Sequence, residues 1–181
     1  MPLVSVHEIE GVQISQIEVH DDSRGKFLKS FPGNFLEHEL NSVAVSINPL
    51  RGTVRGIHFQ VEPYSEEKIV QCLQGSTFEV IIDLRPTSKT FSKIATFELS
   101  AENHSQVYLP KGIAHGFQTL ASDTIVHYCL TSSFSPENSY SIDPLGALAI
   151  EWPLPFKSMS EKDANGVTLT DAAQKYSDSL N

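Results

Sequence analysis

The middle of the chain repeats apolar residues at period two, in runs too short for helices and too regular for loops. Val43, Val45 and Ile47 alternate with Ala44 and Ser46. Phe78, Val80, Ile82 and Leu84 alternate with Thr77, Glu79 and Asp83, and Phe97 and Leu99 with Thr96 and Glu98. Successive side chains of a β-strand point to opposite faces, so the pattern predicts half-buried strands. Turn residues punctuate the runs. Gln74-Gly75-Ser76 reads as a hairpin, Arg85-Pro86-Thr87 ends a strand and Pro110-Lys111-Gly112 precedes one. Many short strands on short turns predict an all-β sandwich or barrel.

Helical patterning is scarce. A turn or two is expected over Asn34 to Leu40, and another over Asp171 to Ser177 with Asp171 as the cap; neither could carry a core. Between Ser135 and Asn165 stand Pro136, Pro144, Pro153 and Pro155, which predict irregular chain wrapping the barrel with brief extended stretches. With 181 residues, no internal repeat and no linker, residues 1–181 are expected to form a single domain.

Charge narrows the partners. The 22 acidic residues outnumber the 13 basic ones, giving a formal net charge of -9, and no Lys/Arg run could neutralise a phosphate ladder. This argues against nucleic acid and against a membrane surface. A small dianion is still within reach, because a few Arg and Lys converging in one pocket set the local field whatever the total charge. No apolar run approaches the roughly 18 residues of a membrane span, and Met1 to Ser5 lacks the basic start of a signal segment, so the cytoplasm is expected. Cys72 and Cys129 form no CxxC pair and are expected as buried free thiols.

Several polar residues stand where the strand pattern brings them inward. His58 lies between Ile57 and Phe59 in Thr53 to Gln60. Arg55 is three residues before it, a spacing that shares a face only if the strand bends, and Gly56 is the residue type that permits a bulge. Lys68 has the parity of Val70 and Cys72, and Tyr128 that of Val126 and Leu130, so both are expected to point inward while His127 points out. His115 sits beside small residues at a strand start. Asp163 is retained because an imidazole base needs a carboxylate or carbonyl to fix its tautomer. Taken singly, each of these is more often structural than catalytic.

Their joint occurrence changes the reading. From about Asp22 to Asp163 the chain resembles the dTDP-4-dehydrorhamnose 3,5-epimerase family, with matching segments in the family's order. These are DSRGKF at 22–27, RGTVRGIHFQ at 51–60, KIVQC at 68–72, DLR at 83–85, LPKGIAHGF at 109–117, SPE at 135–137, IEWP at 150–153 and SEKD at 160–163. The resemblance implies a cupin-type jelly-roll barrel with short peripheral helices. It also implies a homodimer acting on a nucleoside-diphospho-4-keto-6-deoxy sugar with neither metal nor redox cofactor. Carried over by position, it makes His58 the base, Asp163 its orienting carboxylate, Tyr128 the acid on the other face of the sugar and Lys68 the donor near the C4 oxygen. It gives Arg24, Phe27, Arg55, His115 and Lys162 to substrate binding. For the dimer, the strand-like stretch Val12 to Val19 is expected to pair across a two-fold axis.

Three positions depart from the family pattern: Lys29 and Ser139 stand where Glu is usual, and Phe134 where Tyr is usual. They leave open a CDP- or GDP-linked substrate in place of dTDP, and whether C3, C5 or both are inverted. Two other classes also stay open. A metal-dependent cupin enzyme would need converging ligands, and His58, His104, His115 and His127 are dispersed with no HxH pair. In a non-catalytic nucleotide-sugar-binding module, the departures would mark a lost activity.

Overall fold

The computed structural model describes residues 4–6, 8–30, 36–146, 148 and 150–181. Its strands are β1 Val4–Val6, β2 Gln13–Gln16, β3 Glu18–Asp22, β4 Gly25–Lys29, β5 Ser42–Asn48, β6 Val54–Gln60, β7 Lys68–Gln74, β8 Ser76–Asp83, β9 Ile94–Ser100, β10 Ser105–Leu109, β11 Ile113–Thr119, β12 Thr124–Leu130 and β13 Ser139–Ser141. Two helices, α1 Glu161–Ala164 and α2 Leu169–Asp178, come near the C-terminus.

The strands form a jelly roll. A six-stranded sheet runs β1-β2-β10-β7-β12-β5, a five-stranded sheet runs β13-β6-β11-β8-β9, and β3 with β4 makes a separate hairpin. The main core lies between the sheets, where Val70, Cys72, Val107 and Val126 of one meet Ile81, Leu99, Ile113 and Phe117 of the other. A second cluster covers the far face of the five-stranded sheet: Ile57, Phe59, Val80, Ile82 and Ala114 pack under Ile142, Ala172 and Tyr176. That sheet is therefore covered on both sides, which is why every residue of β11 is buried. Both cysteines are buried free thiols, and burial first, then the Glu79 charge, pushes the Cys72 thiol up to about 12.

Several expectations need correction. Gln74-Gly75-Ser76 is not a hairpin, because β7 belongs to one sheet and β8 to the other. A local turn signal cannot tell whether the next strand pairs with the last or crosses the barrel. Val43, Val45 and Ile47 do form a strand, but their side chains are exposed, Ile47 at 67%, because β5 is an edge strand with its apolar face outward. The stretch Val12 to Val19 is split between β2 and β3, and β2 is already paired on both sides by β1 and β10. The β3 part of the stretch is paired on one side alone, by β4. Residues 31–35 lie outside the described residues, and 36–40 form bends and irregular chain rather than the expected helix. The C-terminal helix starts earlier than expected, capped by Thr168, whose hydroxyl accepts from the Asp171 N–H while donating to the Asp171 carboxylate. Among the described residues no helix is long and apolar enough to cross a membrane.

Candidate active site

The site begins with an irregularity in β6. Opposite it on β11, His115 pairs with His58 and Phe117 with Arg55, so two steps on one strand match three on the other. This is a β-bulge, and Gly56 stands in it with φ +102. A Cβ there would come within 2.8 Å of the Gly116 Cα and the His115 carbonyl oxygen, so only glycine fits. The extra residue brings Arg55 and His58 onto one face.

Both line a cavity of about 660 Å³ with Lys68, Lys162 and Asp163, and both line an adjoining recess of about 240 Å³ with His115 and Tyr128. The sequence-predicted residues His58, Lys68, Tyr128, Asp163, Arg55, His115 and Lys162 thus share one contiguous space. Arg24 and Phe27 do not. They sit on the β3–β4 hairpin, where Arg24 is held by Asp22 and Phe27 lines a different groove beside Val43, Leu73 and His127 on the outside of the six-stranded sheet.

His58 Nε2 is 2.6 Å from Asp163 Oδ1. Asp163 reaches it from α1, a single turn capped by the Ser160 hydroxyl. Its carboxylate also accepts from Ser141 Oγ at 2.9 Å and from the Gly56 N–H at 3.2 Å. Burial alone would raise this carboxyl, but the hydrogen bonds and charge of His58, helped by Ser141 and Gly56, bring it down to about 2. Asp163 thus stays ionised and fixes the ring. Nδ1 of His58 has no protein partner among the described residues, and the ring is 40% exposed to the cavity, so its second nitrogen is accessible.

The six-stranded sheet supplies the facing groups. Lys68 opens β7 and is buried, its ammonium 3.0 Å from Glu66 in the same cavity wall. A carboxylate partner makes the burial of a lysine tolerable. Tyr128 points inward from β12, as its parity predicted, and burial pushes its phenol well above the ordinary range. Ser46 Oγ lies 3.5 Å from its hydroxyl. Arg55 donates through Nε to Asn48 Oδ1 at 2.7 Å. His115 Nε2 lies 2.6 Å from Glu79, a carboxylate with no solvent exposure that also accepts from the Thr77 hydroxyl. Lys162 donates to Ser139 Oγ and sits 5.7 Å over the Phe134 ring, so two of the three departures from the family pattern meet at this lysine.

Sequence reasoning missed Glu66, Glu79, Ser141, Ser46 and Asn48. For Glu79 a signal existed. Val80, Ile81 and Ile82 are apolar at both parities, the mark of a strand buried on two faces, and a carboxylate within such a run must find a partner. Among the described residues no three His, Cys, Asp or Glu side chains are grouped so that they could hold a metal ion.

Comparison with known proteins gives the chain a family. The family model described as dTDP-4-dehydrorhamnose 3,5-epimerase matches residues 6–171. A protein of that name from Sinorhizobium fredii is 37% identical over 159 residues, covering 83% of this chain and 80% of its own. A dTDP-4-dehydro-6-deoxyglucose 3-epimerase from a Streptomyces species is 33% identical over 175 residues, covering 91% and 87%. The crystal structure of dTDP-4-dehydrorhamnose 3,5-epimerase from Bacillus anthracis, with TDP and PPi bound, superposes with a TM-score of 0.88 at 33% identity, over 93% of this chain and all of that one. Sequence and cupin-type fold agree along nearly the whole length, and the chain belongs to the dTDP-4-dehydrorhamnose 3,5-epimerase family.

Proposed function

We propose that residues 1–181 act as one epimerase domain that inverts C3, C5 or both in a nucleoside-diphospho-4-keto-6-deoxy sugar, with dTDP as the carrier. The observation that carries this reading is that His58 on the five-stranded sheet, held by Asp163 from α1, faces Tyr128 and Lys68 from the six-stranded sheet across one cavity. A C4 ketone acidifies the hydrogens on its neighbouring carbons. Nδ1 of His58 takes such a proton, and the C–H electrons move onto the C4 oxygen as an enolate. The Lys68 ammonium stabilises that charge. Tyr128 then delivers its O–H proton to the carbon from the opposite face, which inverts the centre. Histidine and tyrosine exchange their protons with water, so the chemistry balances without a redox partner. Arg55, Lys162 and His115 surround the substrate and supply positive charge and donors for the diphosphate and sugar.

The same reading makes the protein a homodimer in the cytoplasm. Val43, Val45, Ile47 and Leu73 expose an apolar outer face on the six-stranded sheet, next to the groove that Phe27 lines. Pairing of two such faces covers them and lets the hairpin with Arg24 and Phe27 of one subunit serve the cavity of the other. Two buried free thiols and no disulfide suit a reducing compartment.

The test is proton NMR in heavy water with dTDP-, CDP- and GDP-linked 4-keto-6-deoxy sugars. Deuterium entering C3 or C5 with inversion, fastest for dTDP, supports the proposal. Binding without exchange makes the protein a non-catalytic module. Stoichiometric iron, manganese or zinc in the active protein, with activity lost on chelation, makes it a metal enzyme.

A further inference from the structure

We propose that Ser46 and Asn48 are positioning residues that make Tyr128 competent as an acid, by holding a donor ready for the phenolate left when its proton goes to carbon. The inference rests on the reading of Tyr128 as the acid.

Giving up a proton is hard for a phenol in this place. Tyr128 faces inward beside Val70 and Val126, and the same burial that pushes its pKa up destabilises the phenolate. Ser46 Oγ is its hydroxyl's described hydrogen-bond partner. The neighbours of that hydroxyl leave it able to donate. An arginine can only donate, so the atom of Asn48 facing Arg55 Nε is its oxygen, and the amide nitrogen is turned toward Ser46. That nitrogen donates to the Thr124 carbonyl at 3.1 Å and, shared between them, to Ser46 Oγ at 3.2 Å and the Ser46 carbonyl at 3.3 Å, anchored in a side chain with 1% exposure. Asn48 takes one of the two lone pairs of Ser46 Oγ and leaves the Ser46 hydrogen available to Tyr128, which must receive it once a phenolate forms, because a phenolate oxygen only accepts.

The row Arg55, Asn48, Ser46, Tyr128 therefore runs from a fixed positive charge to the phenol, with a donor available at each step. During protonation the Tyr128 O–H bond breaks, the enolate electrons form the new C–H bond and the O–H electrons remain on the phenolate. Ser46 donates to that oxygen until water returns the proton. No other reactant is required.

The test compares Ser46→Ala, Ser46→Thr and Tyr128→Phe on the full-length protein, using a dTDP-linked 4-keto-6-deoxy sugar in heavy water. Solvent exchange and inversion are read separately, and circular dichroism reports the fold. Ser46→Ala should keep exchange near wild type while inversion falls about 10- to 100-fold, the range for one hydrogen bond to a charged group. Ser46→Thr, which keeps the hydroxyl, should restore the ratio of inversion to exchange. An unchanged ratio in Ser46→Ala alongside a lowered one in Tyr128→Phe overturns the inference and leaves the role of Tyr128 standing. An unchanged ratio in Tyr128→Phe overturns that role and this inference with it. Equal loss of exchange and inversion in Ser46→Ala makes Ser46 structural only and also overturns it.

Discussion

Arg55 and His58 face the same cavity although a regular strand would turn residues three apart to opposite sides. The bulge at Gly56 accounts for it, and the same glycine gives its N–H to Asp163. One backbone irregularity thus sets the cation, the imidazole and the carboxylate that orients it. Gly56→Ala should lower stability by about 3 kcal/mol through left-handed strain and a 2.8 Å backbone clash. Activity should fall further than that loss explains. Urea denaturation beside kinetics at a temperature where the variant stays folded checks both.

His58→Ala should abolish exchange and inversion together, since no enolate forms without proton removal. Tyr128→Phe should leave exchange while inversion falls on the order of 10²–10⁴-fold. Equal loss of both in the Tyr128 variant, with binding intact, would remove it from the acid role. Deuterium incorporation by NMR distinguishes the outcomes.

Asp163 has a folded pKa of about 2 against an ordinary value of 3.8. A depressed carboxyl contributes stability that is fully present above its unfolded value and lost as pH falls through the folded one. The contribution is on the order of 2 kcal/mol and should disappear between pH 3.8 and about 2. Denaturation midpoints across that interval should slope less for Asp163→Asn than for wild type. At neutral pH the same variant should retain binding and lose roughly 10²–10⁴ in turnover, because His58 then lacks its orienting charge.

Glu79 is the buried counterpart of His115. Glu79→Ala should destabilise the fold by about 2–5 kcal/mol, because it opens a cavity and leaves the buried His115 ring and Thr77 hydroxyl without their acceptor. Glu79→Gln, similar in shape, should be milder in thermal melts and still slow the reaction through a misoriented His115.

Ile47→Glu should yield a folded monomer by light scattering at micromolar concentration, if the exposed face of β5 is where two subunits meet. A persistent dimer would move the interface elsewhere.

The alternation of Phe97 and Leu99, the turn at Gly112 and the inward parity of Lys68 and Tyr128 were all readable, because strand geometry ties side-chain direction to position in the chain. What escaped was whatever depended on which strand lies opposite. Glu79 reads as outward when Phe78, Val80 and Ile82 are taken as the core face, and only Ile81 at its own parity hints that the sheet is covered on both faces. The gap from Gly75 reads as a hairpin until β7 and β8 are assigned to different sheets. Glu66 and Ser46 carry no signal of their own, and only their neighbours across the barrel make them part of the site. Arg24 and Phe27 show the converse, since their segment matches the family while their position in one chain is remote from the cavity.

The carboxylate behind His58 comes from 105 residues further along the chain, on a short turn that follows the barrel strands. A ribosome therefore completes every strand of both sheets before it makes the residue that readies the imidazole. Until the residues after Asp163 are made, the far face of the five-stranded sheet also lacks its cover of Ala172 and Tyr176. Loosening of the C-terminal segment removes that cover and the Asp163 carboxylate together, so turnover should be lost at the first step of heat unfolding, and the epimerase rate serves as a gauge of whether the last part of the chain has docked.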